Sequence, residues 1–406
     1  RPNLPVLVTG LTACWRANQE WTQEPPGVLG RKEPCIQHIS SAYGSSVVEV
    51  ESPPDASSVE RTSSGGYERP RTRVTLSEFA ISSGGYIKDW HFKAEFPNEA
   101  ERLFPTPTIF RDDWLNSFAK HAGSSSMPRT RYFESMQVAG ALPEREAPSC
   151  SHSTSVAAAR AVSDYHFVYL GGQGTRTHLH ADVLGSYSWS ANICGLKVWH
   201  FLAPELTYLV RDIFGRRLAP DFLVSKEASS QGALFENARG AGDHWRFPLL
   251  YRATSVCEEV VQAAGDAVFV PSEWHHTVKN EVDTLSVNAN WFNRHSLCFV
   301  SRRLRRTLPT IDDDDDPRQR AAGQKESPQV GKAPFDAWDF AYLLEWKIEE
   351  AGRLLACGGN PGVDAASDLS EIARIARDMS EDELCHSTCF RAQMKAAALQ
   401  AETHLL

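Results

Sequence analysis

The stretch Thr175 to Trp199, TRTHLHADVLGSYSWSANICGLKVW, sets the reading of the whole chain. It holds His180-Ala181-Asp182, an imidazole and a carboxylate two residues apart. On a β-strand, residues i and i+2 point to the same side, so both side chains can reach one metal ion. A lone H-x-D carries little weight by itself, because the pattern recurs by chance in unrelated chains. A metal reading therefore needs a further ligand from elsewhere in the chain.

With 406 residues there is room for one large domain with attachments, or for two or three domains. A hydrophobic share of 42% and eleven tryptophans belong to a folded chain with a sizeable core. The formal net charge of −9 argues against a general nucleic-acid binder and is compatible with a basic partner, such as a protein that presents lysine or arginine. No apolar run approaches the roughly 20 residues that cross a bilayer, so no membrane association is expected. The first residues, RPNLPVLVTG, carry no signal-peptide apolar region and begin without Met, which reads as a truncated N-terminus. Nine cysteines in no framework spacing favour free thiols in a reducing compartment, the cytoplasm first and the nucleus second.

Outward from the opening stretch, the chain divides by pattern. Residues 1–118 read as an α/β part, with strands at Pro5 to Val8 and Ser46 to Val50 and helix-like spacing over Arg73 to Phe79. A glycine turn runs into Tyr86-Ile87-Lys88-Asp89-Trp90, and a helix is expected from Asp112 to Phe118. Residues 119–162, rich in Ser, Pro, Arg and Ala, read as a mobile surface insertion. From 163 to 298 short strands follow closely: Tyr165 to Leu170, His178 to Val183, Ser186 to Ile193, Lys197 to Leu202, Val256 to Gln262, Ala267 to Pro271, His276 to Asn280 and Leu285 to Phe292. One helix is expected among them, Pro204 to Phe214, with Leu206, Leu209, Val210 and Ile213 on one face. Strands so spaced form a barrel or sandwich, not a parallel βαβ sheet. Residues 299–335 read as a basic helix and an acidic linker, and 336–406 as helices at Trp338 to Leu355, Ala365 to Met379 and Ser380 to Gln400. Cys385, His386 and Cys389 supply too few ligands for a structural zinc site.

The missing ligand stands in Val270-Pro271-Ser272-Glu273-Trp274-His275-His276, where a strand meets a proline turn and then histidines at the head of the next strand. Either histidine qualifies from the residues alone. Two histidines and one carboxylate that leave open positions suit non-haem Fe(II). Asn288 and Asn290 share one strand face with Ser286, opposite Leu285, Val287 and Ala289, as polar residues lining a pocket do.

Four motifs in this order resemble the JmjC family of Fe(II)- and 2-oxoglutarate-dependent oxygenases. They are T-x-x-H-x-D at Thr177 to Asp182, G-x-K-x-W at Gly195 to Trp199, G-D-x-V-F-V-P-x-x-W-x-H at Gly265 to His276, and N-x-N-W-F at Asn288 to Phe292. The resemblance implies a mainly β fold, a double-stranded β-helix or jelly roll of the cupin type, with an α/β N-terminal part and a helical C-terminal part. It selects His276 over His275, giving His180, Asp182 and His276 as metal ligands and catalytic centre. It makes 2-oxoglutarate the cosubstrate, used with O2, and Lys197 the cation for its distal carboxylate. A lysine in a core strand is costly to bury without a fixed anion, which agrees.

Thr177 and Tyr86 match residues that hydrogen-bond the same carboxylate, although strand alternation alone turns Thr177 away from His180 and places His178 on the His180 face. Asn288 falls near the cosubstrate and Asn290 near the iron. Ser190 stands where several members carry a cosubstrate-binding Asn, and Asn192 is the alternative donor. YIKDWHF, DWLN and HADVLGSYSWSANICGLKVW are similar to the subgroup that hydroxylates a lysine of the eukaryotic peptide-chain release factor, which is then the expected protein partner. Some members dimerise through C-terminal helices, so those after residue 335 are the expected surface for a homodimer. The competing readings are an N-methyl-lysine demethylase acting on histones, a non-catalytic cupin-like interaction protein, and a cupin hydrolase or isomerase with another metal, which would not need Lys197.

Overall fold

The computed structural model describes the chain apart from residues 1–2, 26, 28–29, 53–59, 62–66, 82–84, 123–163, 222–245, 311–334, 357–364 and 406. Most of the insertion expected at 119–162, and the acidic linker at 312–316, lie outside the described residues.

Twelve strands build two facing sheets: β1 (Val6–Val8), β2 (Val47–Glu51), β3 (Arg71–Thr75), β4 (Tyr86–Trp90), β5 (His166–Gly171), β6 (Arg176–His180), β7 (Tyr187–Cys194), β8 (Lys197–Leu202), β9 (Glu258–Gln262), β10 (Ala267–Val270), β11 (His275–Asn280) and β12 (Thr284–Trp291). The larger sheet runs β1-β10-β7-β12-β5-β4-β2-β3 and the smaller β6-β11-β8-β9, and the pairs β1–β10, β10–β7, β12–β5, β5–β4, β4–β2, β2–β3, β6–β11, β11–β8 and β8–β9 are antiparallel. From β5 to β12 successive strands alternate between the sheets, apart from β8 and β9, which pair side by side in the smaller sheet, so each sheet interleaves strands distant in sequence. This is a jelly roll, extended on one side by β4, β2 and β3 and on the other by β1.

Strand alternation explains why both faces of the larger sheet are buried. On β7, Trp189, Ala191 and Ile193 point away from the smaller sheet. There Trp189 stacks on Phe110 at 5.5 Å and meets Trp15 edge-on at 6.5 Å. Between the sheets lies a second apolar layer, Trp199, Phe201 and Val278 against Val268, Val270 and Trp274. The outer face of the smaller sheet carries a third, in which Leu179 and Leu202 pack on Leu209, Val210, Leu250 and Ala253. Gly195 makes the β7–β8 hairpin feasible: its φ is +87°, and a Cβ there would fall 2.3 Å from the Asp283 carbonyl oxygen.

Residues 1–111 with 165–290 form one compact unit, and the described parts of 112–164 and 291–406 form another. In the second unit, helices Ala337–Ala356, Ala365–Ser380 and Thr388–Leu405 bury Leu343, Leu344, Ile348, Leu369, Ile372, Phe390 and Met394. The helix Trp114–Ala122 belongs with them, Lys347 lying 4.7 Å above the Trp114 ring.

Several elements depart from the expected pattern: the strand expected at His178 to Val183 runs from Arg176 to His180 and gives way to a 3₁₀ turn at Val183–Gly185. Arg73 to Thr75 complete strand β3, and the helix begins only at Leu76, because Val74 pairs with Val48. The helix at Pro204 stops at Val210 as 3₁₀, where Arg211 turns extended and bridges to Leu218. Ile213 is consequently half-exposed and not on the buried face. The last helix starts at Thr388 instead of Ser380, its Phe390 amide donating to Ser387 Oγ at 3.0 Å. Because Trp189 joins two layers, Trp189→Ala is expected to cost about 3–5 kcal/mol in urea-unfolding free energy. A loss below about 1 kcal/mol would show that the N-terminal layer does not depend on it.

Candidate functional site

The site begins with the pairing of β6 and β11. Thr177 lies opposite Val278 and His180 opposite His276, so β6 holds one more residue than its partner between these pairs. That extra residue is a β-bulge, and it resets the alternation. Thr177 thereby faces the inter-sheet space with Val278 while His180 faces it with His276, which strict alternation forbids. His178 falls within the bulge, buried, and neither of its ring nitrogens has a hydrogen-bond partner among the described residues. Burial, with Lys88, Arg176 and Arg69 nearby, pushes its imidazole down to about 3, so it is neutral.

At the end of β6 the ligand atoms of His180, Asp182 and His276 lie within 4.8 Å of one another, and the two imidazole rings are 4.3 Å apart. Among the described residues no other three His, Cys, Asp or Glu groups converge in this way. Each ligand is aimed by a second contact. His180 Nδ1 donates to the His178 carbonyl at 2.7 Å, and His276 Nδ1 to the Trp274 carbonyl at 3.2 Å. A carbonyl can only accept, so both protons sit on Nδ1 and both Nε2 lone pairs remain for a metal. Ser188 Oγ donates to Asp182 Oδ2 at 2.7 Å, which leaves the other carboxylate oxygen for the metal. Burial, and then His180, hold His276 below the usual histidine range, so it is neutral as a ligand must be. His275, the rival from sequence, faces the other way, with Nδ1 3.2 Å from Thr207 Oγ1.

Deeper between the sheets lies Lys197, 2% exposed, with its Nζ donating to Ser286 Oγ at 2.7 Å. Among the described residues no carboxylate acts on it; burial and then Lys88 push its ammonium down to about 7. Its cross-strand neighbour Asn280 donates to Thr175 Oγ1 at 2.9 Å, and the Tyr86 hydroxyl hydrogen-bonds with Thr177 and Asn280. Burial raises Tyr86 well above the ordinary tyrosine range, so its hydroxyl stays protonated. A Cβ at Gly171 would fall within 2.7 Å of Asn280, Thr175 and Tyr86, so the absence of a side chain there lets these groups converge.

Around this pocket Ser190 Oγ and Asn288 Oδ1 are buried without a hydrogen-bond partner among the described residues. Asn192 donates to the Gly195 carbonyl at 3.0 Å and so holds the β7–β8 hairpin. Asn290 donates to Ser186 Oγ at 3.2 Å.

The chemistry of this arrangement follows from its parts. Two neutral imidazoles and one carboxylate make a site for a divalent transition metal. A buried ammonium ringed by hydroxyl and amide donors makes a site for an anion. Sequence reasoning placed Ser286 on the pocket-lining face with Asn288 and Asn290 without a role, and missed Ser188 and Asn280, which depend on cross-strand register. Ser188→Ala is expected to weaken Mn(II) binding about 10- to 100-fold, read by quenching of tryptophan fluorescence. Unchanged affinity would mean that Asp182 needs no such support.

A profile of the cupin-like domain family matches residues 1–297. The "2-oxoglutarate and iron-dependent oxygenase JMJD4" of Danio rerio is 33% identical over 328 residues, covering 76% of this chain and 60% of that protein. The Homo sapiens protein of the same name is 30% identical over 327 residues, covering 77% and 62%. The "Arginine-specific demethylase JMJ20" of Arabidopsis thaliana is 32% identical over 307 residues, covering 73% and 54%. In each case the match spans less than two thirds of the relative's own length. A family profile that runs through both sheets, with relatives of this kind, makes the chain a member of the cupin-like domain family, of the JmjC type.

Proposed function

We propose that this protein is an Fe(II)- and 2-oxoglutarate-dependent oxygenase that hydroxylates carbon in a lysine side chain of the eukaryotic peptide-chain release factor. The observation that carries the cosubstrate is Lys197, a buried ammonium with a serine hydroxyl and, among the described residues, no carboxylate beside it, in the same inter-sheet space as the His180–Asp182–His276 face. A cupin that used its metal for hydrolysis or isomerisation has no need of such a charge. The release factor as partner rests on the motifs shared with its hydroxylase subgroup and on the similarity to the proteins named JMJD4. The cytoplasm is the compartment that this substrate implies.

Iron, 2-oxoglutarate and O2 together supply oxidative decarboxylation, to succinate and CO2, coupled to insertion of one oxygen atom into a C–H bond. His180, Asp182 and His276 would hold the iron and leave positions open for cosubstrate and O2. Lys197, Tyr86, Thr177 and Asn280 would bind the distal carboxylate, the lysine as charge and the others as hydrogen-bond donors. Ser190 and Asn288 bring polar atoms that bound cosubstrate would partner. Trp199 and Phe201, 5.6 and 5.7 Å from the His276 ring, keep water from that ligand. A second reading, removal of a methyl group from a methylated side chain, uses the same C–H step, and the similarity to the Arabidopsis arginine demethylase favours it. A homodimer through the three C-terminal helices is a further part of the proposal.

Substrate-dependent succinate release with recombinant release factor, followed by mass spectrometry, tests this reading. Gain of one oxygen on a lysine supports it; loss of methyl groups supports the demethylase instead; failure of the folded protein to bind 2-oxoglutarate sinks both. Asp182→Ala should abolish turnover, while Lys197→Ala should weaken cosubstrate binding about 10- to 100-fold, as loss of a charge-assisted hydrogen bond does.

The titration of Lys197 adds a pH signature. With the ammonium held down to about 7, the ligand-free pocket loses its charge above that pH, whereas a bound carboxylate favours the charged form. Binding at about pH 8 should therefore take up a proton, with uptake fading toward about pH 6, where Lys197 is already charged. Calorimetry in buffers of different ionisation enthalpy measures this, and pH-independent proton exchange would contradict it.

A further inference from the structure

Behind the metal-bearing sheet, an outer layer displays apolar side chains to solvent. Asp212 to Gly215 form a tight turn, Gly215 closing it at φ +68° with its amide donating to the Asp212 carbonyl at 2.8 Å. Turn tips normally carry polar residues or glycine, yet this one carries Ile213 and Phe214, 49% and 62% exposed. The turn is not loosely held. The buried Asp212 carboxylate accepts from the Arg216 and Arg217 amides at 2.8 and 3.2 Å and pairs with Arg246 at 3.4 Å, while the Ile213 amide donates to the Arg246 carbonyl at 2.9 Å.

In the same layer stand Tyr208 and Tyr251, 58% and 62% exposed. Arg252 joins them: it donates to the Tyr251 hydroxyl at 3.0 Å and lies near Tyr208. Beneath them Leu209, Val210 and Leu250 pack on Leu179 and Leu202 of the smaller sheet, and Thr207 touches His275, the neighbour of the metal ligand His276. Among the described residues Arg211, Arg216, Arg217 and Arg252 reach solvent here against Glu205 and Glu259, since Asp212 is buried. In a chain of net charge −9 this layer is locally positive.

We propose that this aromatic and basic layer is a docking surface for an acidic segment of the substrate protein that also carries aromatic or aliphatic side chains. Rigidly displayed aromatic residues beside arginine match the composition of strong binding patches. Charge complementarity selects an acidic partner over a basic one. Identifying that partner with the substrate rests on the oxygenase reading above; the binding itself does not. The surface would hold the partner by a segment apart from the reacting side chain, so the pocket need not supply all the affinity.

The test uses the full chain without iron or cosubstrate, so its outcome is independent of turnover. Random 16-residue peptides displayed on phage are selected on the wild type and counter-selected on a Phe214→Ser/Tyr251→Ser variant, both positions being exposed enough to leave folding intact. The expected survivors are net acidic and contain aromatic or aliphatic residues. Resynthesised, they should bind the double variant at least about 10-fold more weakly, as loss of a hot-spot pair does. Arg216→Glu/Arg252→Glu should weaken them to a similar degree, and binding should decline as salt rises from about 50 to 500 mM. Neutral or basic survivors, survivors that bind the variants equally well, or no survivors at all would overturn the proposal. So would hydroxyl-radical footprinting in which Phe214 and Tyr251 of the free chain resist labelling, because the chain or a second copy would then already cover the surface.

Discussion

One extra residue in β6, against a partner strand that lacks it, is the constraint on which the site depends. Without the bulge between Thr177 and His180, a strand of strict period two would turn one of them out of the inter-sheet space. With it, the candidate metal ligands His180 and His276 meet across one ladder position, while Thr177 stays beside Tyr86 in the candidate anion pocket. The same bulge delivers the His178 carbonyl to His180 Nδ1, and so decides which nitrogen is free to bind metal. Metal centre and anion pocket are thus two consequences of a single register shift.

The second organising element is buried charge. Lys197 forgoes hydration and, among the described residues, has a serine hydroxyl alone in return, an arrangement that a fold retains at a cost in stability. Lys88, buried close by, is instead paired with Glu51 at 3.0 Å and lies 5.0 Å above the Tyr86 ring. The pair is self-contained, and the ring it backs aims its hydroxyl at Thr177 and Asn280. Two lysines in the same interior therefore differ: one is paired with a carboxylate, the other has a hydroxyl as its partner. Their mutual repulsion is part of what depresses Lys197 and sharpens its preference for a carboxylate.

The outer layer of the smaller sheet joins these interior features to the surface. Leu179 and Leu202 belong to the strands that carry His180 and Phe201, and they form the floor on which Leu209, Val210 and Leu250 sit. The layer that displays Tyr208 and Phe214 is consequently seated on the strands that hold the metal site. Stiffness of the kind given by Asp212 and its three arginine neighbours lowers the entropy lost when a partner binds.

Much of this was legible from residues alone. Period-two alternation separated Ser286, Asn288 and Asn290 from Leu285, Val287 and Ala289, and short strands in close succession implied two facing sheets, because such strands bury apolar side chains only by stacking. The ligand types and the isolated core lysine pointed to a metal and an anion, since each is costly to bury without its partner. What one dimension could not hold was register. The bulge in β6, the support of Asp182 by Ser188 and the convergence of Asn280 with Tyr86 all depend on which residue lies opposite which across strands far apart in the chain. The early stop of the helix at Val210 belongs with them, because Asp212 turns the backbone through contacts with Arg217 and Arg246 that local propensity does not contain. Residue chemistry determined what this protein could bind; tertiary pairing, by setting register and facing, decided which side chains do the binding.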